Sequence, residues 1–147
     1  IMDFLKYEFR KYLRNETRFV ICFCDIDHFK RINDTYGHDA GDAVLAGLSR
    51  FIKQRLRAGD FISRWGGEEF IILMRDTRAE EGAMIIERVR QAIESRKFDA
   101  GKASVHITVS FGLGETGEAA TLEHLISAAD ERLYRAKEQG RNMVVYL

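Results

Sequence analysis

The stretch at residues 19–26, FVICFCDI, constrains this chain more than any other. Apolar residues follow one another with no polar alternation, so it reads as a β-strand buried on both faces, ending in the acids Asp25 and Asp27. Ahead of it, Phe4, Leu5, Phe9, Tyr12 and Leu13 recur at helical intervals. After it, Val44, Leu45, Leu48, Phe51, Ile52 and Leu56 form a second helical stripe over about 40–57. DFISRW and EFIILM then read as a hairpin joined at Gly66-Gly67, the dipeptide a two-residue turn favours. Thr77 with Glu80 predicts a capping box ahead of a helix carrying Ala83, Ile86, Val89 and Ile93. SVHITVSFGL alternates and predicts one strand with a single covered face. Thr121 predicts the cap of a last helix stopped at Gly140, and NMVVYL predicts a closing strand.

The expected fold class is therefore α+β. A helix is followed by a βαββαβ core and a further α-β, in a ferredoxin-like, palm-type antiparallel sheet with flanking helices. In that topology strand one runs antiparallel beside strand three. The end of one meets the start of the other, so Asp25 and Asp27 arrive at the sheet edge that carries Glu68 and Glu69. The RWGGEEF segment, which puts two glycines and two acids together, thus falls where a site belongs.

Length and charge narrow the classes. The 147 residues suit one domain, spanning 1–147. Lys plus Arg and Asp plus Glu both number 23, so no overall positive field favours a nucleic-acid polymer or an anionic membrane. The absence of a long apolar run and of a signal-peptide pattern points to a soluble, cytoplasmic chain with no membrane contact of its own. Cys22 and Cys24 share one face of the first strand and read as small buried hydrophobes. The start at Ile1 suggests a fragment of something longer, for instance the cytoplasmic part of a membrane-anchored sensor.

Clustered carboxylates repel unless a proton, a basic side chain or a metal lies between them. Oxygen ligands without His or Cys suit Mg²⁺, which shares its shell with substrate phosphates, so the chemistry suggested is phosphoryl transfer. Gly66 and Gly67 leave room for a nucleotide over the hairpin. The same spacing also fits acids simply solvated at a hairpin tip. In DIDHFKRINDTYGHDAGD, the loop after strand one offers backbone N–H groups for phosphate oxygens, and Asn33 and Asp42 offer contacts to a guanine edge. His38 follows Gly37 in an expected turn.

Taken in order, DIDHFKRINDTYGHDAGD, RWGGEEF, SFGL and DERLYRAKEQGRN resemble the GGDEF family of diguanylate cyclases in its GGEEF spelling. The resemblance implies condensation of two GTP into cyclic di-GMP with release of two pyrophosphates, across a homodimer in which each subunit holds one GTP. It implies two Mg²⁺ per active site, with Mn²⁺ as an alternative ion. Asp25, the backbone carbonyl of Ile26, Glu68 and Glu69 match metal ligands, and Glu68 also matches the base for the attacking 3′-hydroxyl. Asn33 and Asp42 match guanine-recognising positions. Phe29 and Lys30 match a loop whose main chain holds the terminal phosphates, and Lys137 and Arg141 match basic residues that reach them. Arg57 and Asp60, in RAGD, match an RxxD site at which cyclic di-GMP inhibits its own synthesis, with Arg88 joining from a neighbouring subunit. The family's DxLTGLxNR motif, and any regulatory domain, fall outside this chain. Two other readings remain: a catalytically silent module that binds GTP or cyclic di-GMP, and a ferredoxin-like interaction domain without chemistry.

Overall fold

In β1 (Phe19–Ile26), alternate side chains enter two different cores, as the uniformly apolar run requires. The computed structural model, which describes residues 1–147, sends Val20, Cys22, Cys24 and Ile26 to one face. There they meet α3 (His38–Arg55) through Val44, Leu48 and Ile52, and α4 (Ala79–Glu94) through Ile86, Val89 and Ile93. Phe19, Ile21 and Phe23 point the other way, toward Leu5 and Phe9 of α1 (Met2–Asn15) and Leu125, Ala129 and Leu133 of α5 (Leu122–Glu138). Both thiols are buried, and burial pushes each well up from its ordinary range, Cys22 further raised by Cys24 and Cys24 by Asp25. They act as packing groups.

β1 lies at the centre of a five-stranded sheet, between β3 (Glu69–Arg75) and β6 (Val109–Glu115). β2 (Phe61–Gly66) lies at one edge and the short β7 (Val144–Val145) at the other. All neighbours are antiparallel except β6 and β7. The palm-type α+β architecture expected from the element order is present, with α1 and α5 covering the second face.

Several local expectations need correction. Residues 29–36, read as loop, form α2 (Phe29–Tyr36). Its Asn, Asp and Thr compete with helix formation, but Phe29 and Ile32, one turn apart, are buried, and tertiary packing outweighs propensity. His38, expected in a turn, opens α3, with the break at Gly37. SVHITVSFGL is two strands: β5 (Ser104–His106) pairs with β4 (Lys97–Asp99) in a separate hairpin, and β6 begins at Val109. The alternation runs across the break because Val105, Ile107, Val109 and Phe111 are all buried, whichever strand pairs beside them. Only Val144–Val145 of the closing segment pairs in the sheet. The capping box does not form: Arg78 takes the N-cap position, while the buried Thr77 hydroxyl donates to the Arg75 carbonyl at 2.6 Å and accepts from Arg57. Thr121 does cap α5, accepting from the His124 N–H at 3.1 Å. Gly140 (φ 121°) ends it, with the Arg141 N–H donating back to the Ala136 carbonyl at 2.9 Å.

The close approach of α5 to β6 matters most for the site. A Cβ on Gly112 would stand 2.2 Å from the Leu133 nitrogen and 2.4 Å from the Ala129 carbonyl oxygen, both backbone. Arg132 fastens the same contact, donating to the Leu113 carbonyl at 2.7 Å and to Glu118 at 2.5 Å. Gly112→Ala is therefore expected to push α5 off the sheet and destabilise the chain by about 2 kcal/mol or more, an overpacking cost, measured as a lowered urea midpoint.

Candidate active site

Asp25 is the penultimate residue of β1 and sits opposite Glu69 in the β1–β3 register. Being odd-numbered, it points to the α5 face, where the Lys137 ammonium in the last turn of α5 donates to its Oδ2. Its Oδ1 is buried and has no hydrogen-bond partner. Asp25, Glu69, Asp130, Leu133, Tyr134 and Lys137 line a cavity of about 180 Å³. Asp25 and Glu69, from neighbouring strands, thus share one cavity with Asp130 and the Lys137 ammonium of α5.

Glu68 and Glu69 carry the electrostatic cost. Burial pushes the Glu68 carboxyl above its usual range, followed by the charge of Asp25 close beside it; Lys137 partly offsets this, and Glu69 adds to it. Glu69 is raised first by burial, then by Asp130 and Asp25, again against Lys137. Asp130 was not singled out in the sequence. The signal was present, since Asp130, Leu133, Tyr134 and Lys137 recur at i, i+3, i+4 and i+7 on one helix face.

The hairpin between β2 and β3 differs in detail from the expected Gly66-Gly67 turn. Gly66 is the last residue of β2 and pairs with Glu69, leaving Gly67 and Glu68 at the tip and a bulge between Arg64 and Gly66. Gly67 has φ 53°, a conformation that favours glycine, and a side chain on either glycine would meet only open space. Arg64 pins the tip by donating to the Gly67 carbonyl at 2.8 and 2.5 Å. Trp65 packs edge-on against Phe23, with centroids 5.0 Å apart. Arg64, Trp65 and Gly67 thus shape the turn that carries Glu68.

The second wall is α2. Its first residues, Phe29 and Lys30, present N–H groups that no preceding helical turn can accept, and His28 enters it in a left-handed conformation (φ 56°). The Lys30 side chain turns back to Asp34 at 3.0 Å. Asn33 Oδ1 is buried without a partner, lying so close to Gly41 that a Cβ there would stand 1.9 Å from it. Asp42 is exposed one residue further on. Ile26 continues β1 opposite Val109. Asp27, expected to join the acids, is instead consumed by hydrogen bonds from Thr108, Ser110 and Asn142. Arg141 is exposed beyond the α5 stop, in a left-handed conformation (φ 65°).

Away from this edge, Arg57 and Asp60 are joined. Asp60, whose side chain is 2% exposed, accepts from the Arg57 N–H at 3.1 Å and its Nε at 3.3 Å, and from the Arg75 N–H at 3.3 Å. Arg57 also donates to the Arg75 carbonyl at 2.9 Å and lies 3.6 Å from Glu81. Arg88 is exposed on α4, two turns beyond Glu81.

The sequence model of the family described as "Diguanylate cyclase, GGDEF domain" matches residues 1–143. The chain belongs to the GGDEF family. This GGDEF chain is 44% identical over 124 residues to the response regulator PleD of Caulobacter vibrioides, covering 82% of the chain but 27% of PleD. It therefore spans only about a quarter of that relative's length. Among solved structures, the GGDEF domain of DgcB from Caulobacter crescentus in complex with c-di-GMP superposes with a TM-score of 0.86 at 33% identity, over 98% of this chain and 86% of that one. The active GGEEF domain of a diguanylate cyclase from Vibrio cholerae superposes with a TM-score of 0.87 at 31% identity, over 95% and 89%. No helix of the GGDEF chain is long and apolar enough to cross a membrane.

Because folding raises the affinity of Glu68 for a proton, ionised Glu68 costs stability. The cost is absent below the ordinary glutamate range, grows as pH rises toward the raised value, and is fully present above it. In metal-free protein at neutral pH, Glu68→Gln is therefore expected to stabilise the fold by roughly a few tenths of a kcal/mol, a figure limited by solvent screening. Thermal melts should show the gain vanish as pH falls to about 4.

Proposed function

We propose that this chain is the catalytic domain of a diguanylate cyclase, joining two GTP into cyclic di-GMP and releasing two pyrophosphates. The observation that carries the reading is the buried, unpartnered Oδ1 of Asp25 among Glu68 and Glu69, with the Lys137 ammonium on its other oxygen. An oxygen-only donor set with one acceptor left open in a buried position fits a hard divalent cation, Mg²⁺ or in its place Mn²⁺. Asp25, the Ile26 carbonyl, Glu68 and Glu69 are the groups assigned to hold it, with two ions per site. Bound there, the ions would polarise the α-phosphate and offset charge on the attacking and leaving oxygens.

The chain's own groups do the rest. Asn33 and Asp42 take the guanine edge, the Asn33 Oδ1 having no partner within the chain. The N–H groups of Phe29 and Lys30 at the α2 N-terminus, with Lys137 and Arg141, bind the terminal phosphates. Glu68 accepts the 3′-hydroxyl proton as that oxygen bonds to the α-phosphorus of the second GTP and pyrophosphate leaves with the bond it breaks. A raised carboxyl value brings its proton affinity nearer the working pH, which suits a base. One site holds one nucleotide, so a second subunit must present the other, and dimerisation supplies the proximity. Arg57 and Asp60, with Arg88 from a neighbouring subunit, form an inhibitory site for cyclic di-GMP. The DgcB complex supports binding of that ligand by this fold. The domain would act in the cytoplasm.

Protein dimerised through a fused coiled coil, incubated with GTP and Mg²⁺ and analysed by nucleotide chromatography, should yield cyclic di-GMP. Glu68→Ala should lower the rate by about 10² to 10⁴-fold. GTP bound tightly but never converted would transfer the assignment to a silent sensor. Arg57→Ala should weaken inhibition by added cyclic di-GMP on the order of tenfold or more, as loss of a charge-assisted contact does. Unchanged inhibition in initial-rate assays would remove Arg57 from that site.

A further inference from the structure

Asp27 and Asn142 are the polar groups of this edge that the chemistry above leaves unused. They are bonded to each other. Asp27 Oδ2 accepts from the Asn142 N–H at 3.0 Å and from the Thr108 hydroxyl at 2.7 Å, while Oδ1 accepts from the Ser110 hydroxyl at 2.7 Å. The Ser110 oxygen also lies 3.1 Å from the Asn142 nitrogen. Asp27 is 6% exposed and Ser110 fully buried, while Thr108 and Asn142 are half-buried. From the same residue, the Asn142 side chain reaches α4: its Oδ1 accepts from Arg90 at 2.9 Å and its Nδ2 donates to Glu94 at 2.6 Å. Arg90 is in turn held by both oxygens of Glu87, at 2.7 and 2.6 Å.

The chain neighbours of this pair give it meaning. Asp27 is followed by His28 and the first N–H groups of α2, and Asn142 is preceded by Arg141. Those are two separate sources of phosphate donors, 112 residues apart between Phe29 and Arg141 in sequence. Asn142 holds a left-handed conformation (φ 49°), which asparagine tolerates better than most residues. The bonds to Arg90 and Glu94 stop it from turning.

We infer that Asn142 is a positioning residue for the triphosphate end of the substrate, fixing the α2 N-terminus and Arg141 at one separation by bonding to Asp27 on one side and Arg90 on the other. The inference rests on the nucleotide reading above. Guanine recognition, at Asn33 of α2 and Asp42 of α3, is held instead by the packing of α2 on α3, where Gly41 lies against Asn33 and Phe29. Loss of the Asn142 amide should therefore weaken binding of the phosphates and leave binding of the base alone.

The test measures calorimetric affinity, with Mg²⁺, for 3′-deoxy-GTP, which lacks the attacking hydroxyl, and for GMP, which lacks the outer phosphates. Asn142→Gly keeps the backbone N–H, accommodates the left-handed conformation and removes the side-chain amide. The double variant Arg90→Met/Glu94→Met keeps Asn142 and cuts both of its side-chain links to α4. In both, affinity for 3′-deoxy-GTP should fall on the order of tenfold, with GMP affinity unchanged, as expected when anchoring groups shift by a fraction of an ångström. Equal losses for the two ligands would mean a general structural role and overturn the inference, as would no loss for either. Wild-type protein that binds neither ligand would bring down the nucleotide reading and this inference together. Wild-type binding with unaltered variants would bring down the inference alone.

Discussion

Antiparallel pairing of β1 with β3 puts Asp25 opposite Glu69, and the site depends on that register. A slip of one residue would turn Asp25 into the core beneath α3 and α4 and expose Cys24 to the acids. Burial on both faces prevents the slip, because every apolar side chain of β1 is committed to one of two cores. The hydrophobic effect, which has no direction of its own, thereby places a charged group to within one pleat.

That placement is unfavourable in isolation. Burial and mutual repulsion raise the proton affinity of Glu68 and Glu69, and the opposing cation is a lysine delivered by α5. α5 reaches Asp25 because a residue without a side chain at 112 lets the helix backbone lie against β6. The sheet pays for the cluster with packing elsewhere, an arrangement familiar where function conflicts with stability. Lys137 has two calls on it, Asp25 in the chain as it stands and phosphate in the proposed complex. A cation arriving at Asp25 would release it to the second.

Two kinds of residue surround the acids. Arg64, Trp65, Gly67 and Asp27 shape the backbone that presents them, whereas Asp25, Glu68, Glu69 and Lys137 face the cavity or its rim. Asp27 is instructive because sequence spacing alone grouped it with Asp25. Its carboxylate is spent on two hydroxyls and a backbone N–H, which fixes the turn into α2.

What the linear order of residues determined was the strand buried on both faces, the antiparallel meeting of its acidic end with Glu68 and Glu69, and the family, since these follow from periodicity, handed connections and motif spacing. The helix at Phe29–Tyr36, the split at Thr108 and the turn at Gly67-Glu68 were decided by tertiary packing. Local propensities there are weak and compete, whereas burial of Phe29 and Ile32 and the change of partner from β4 to β1 are long-range events. The division of labour between Asp25 and Asp27, and the entry of Asp130, also belong to the folded state: identical side chains acquire different roles only when distant elements supply their partners.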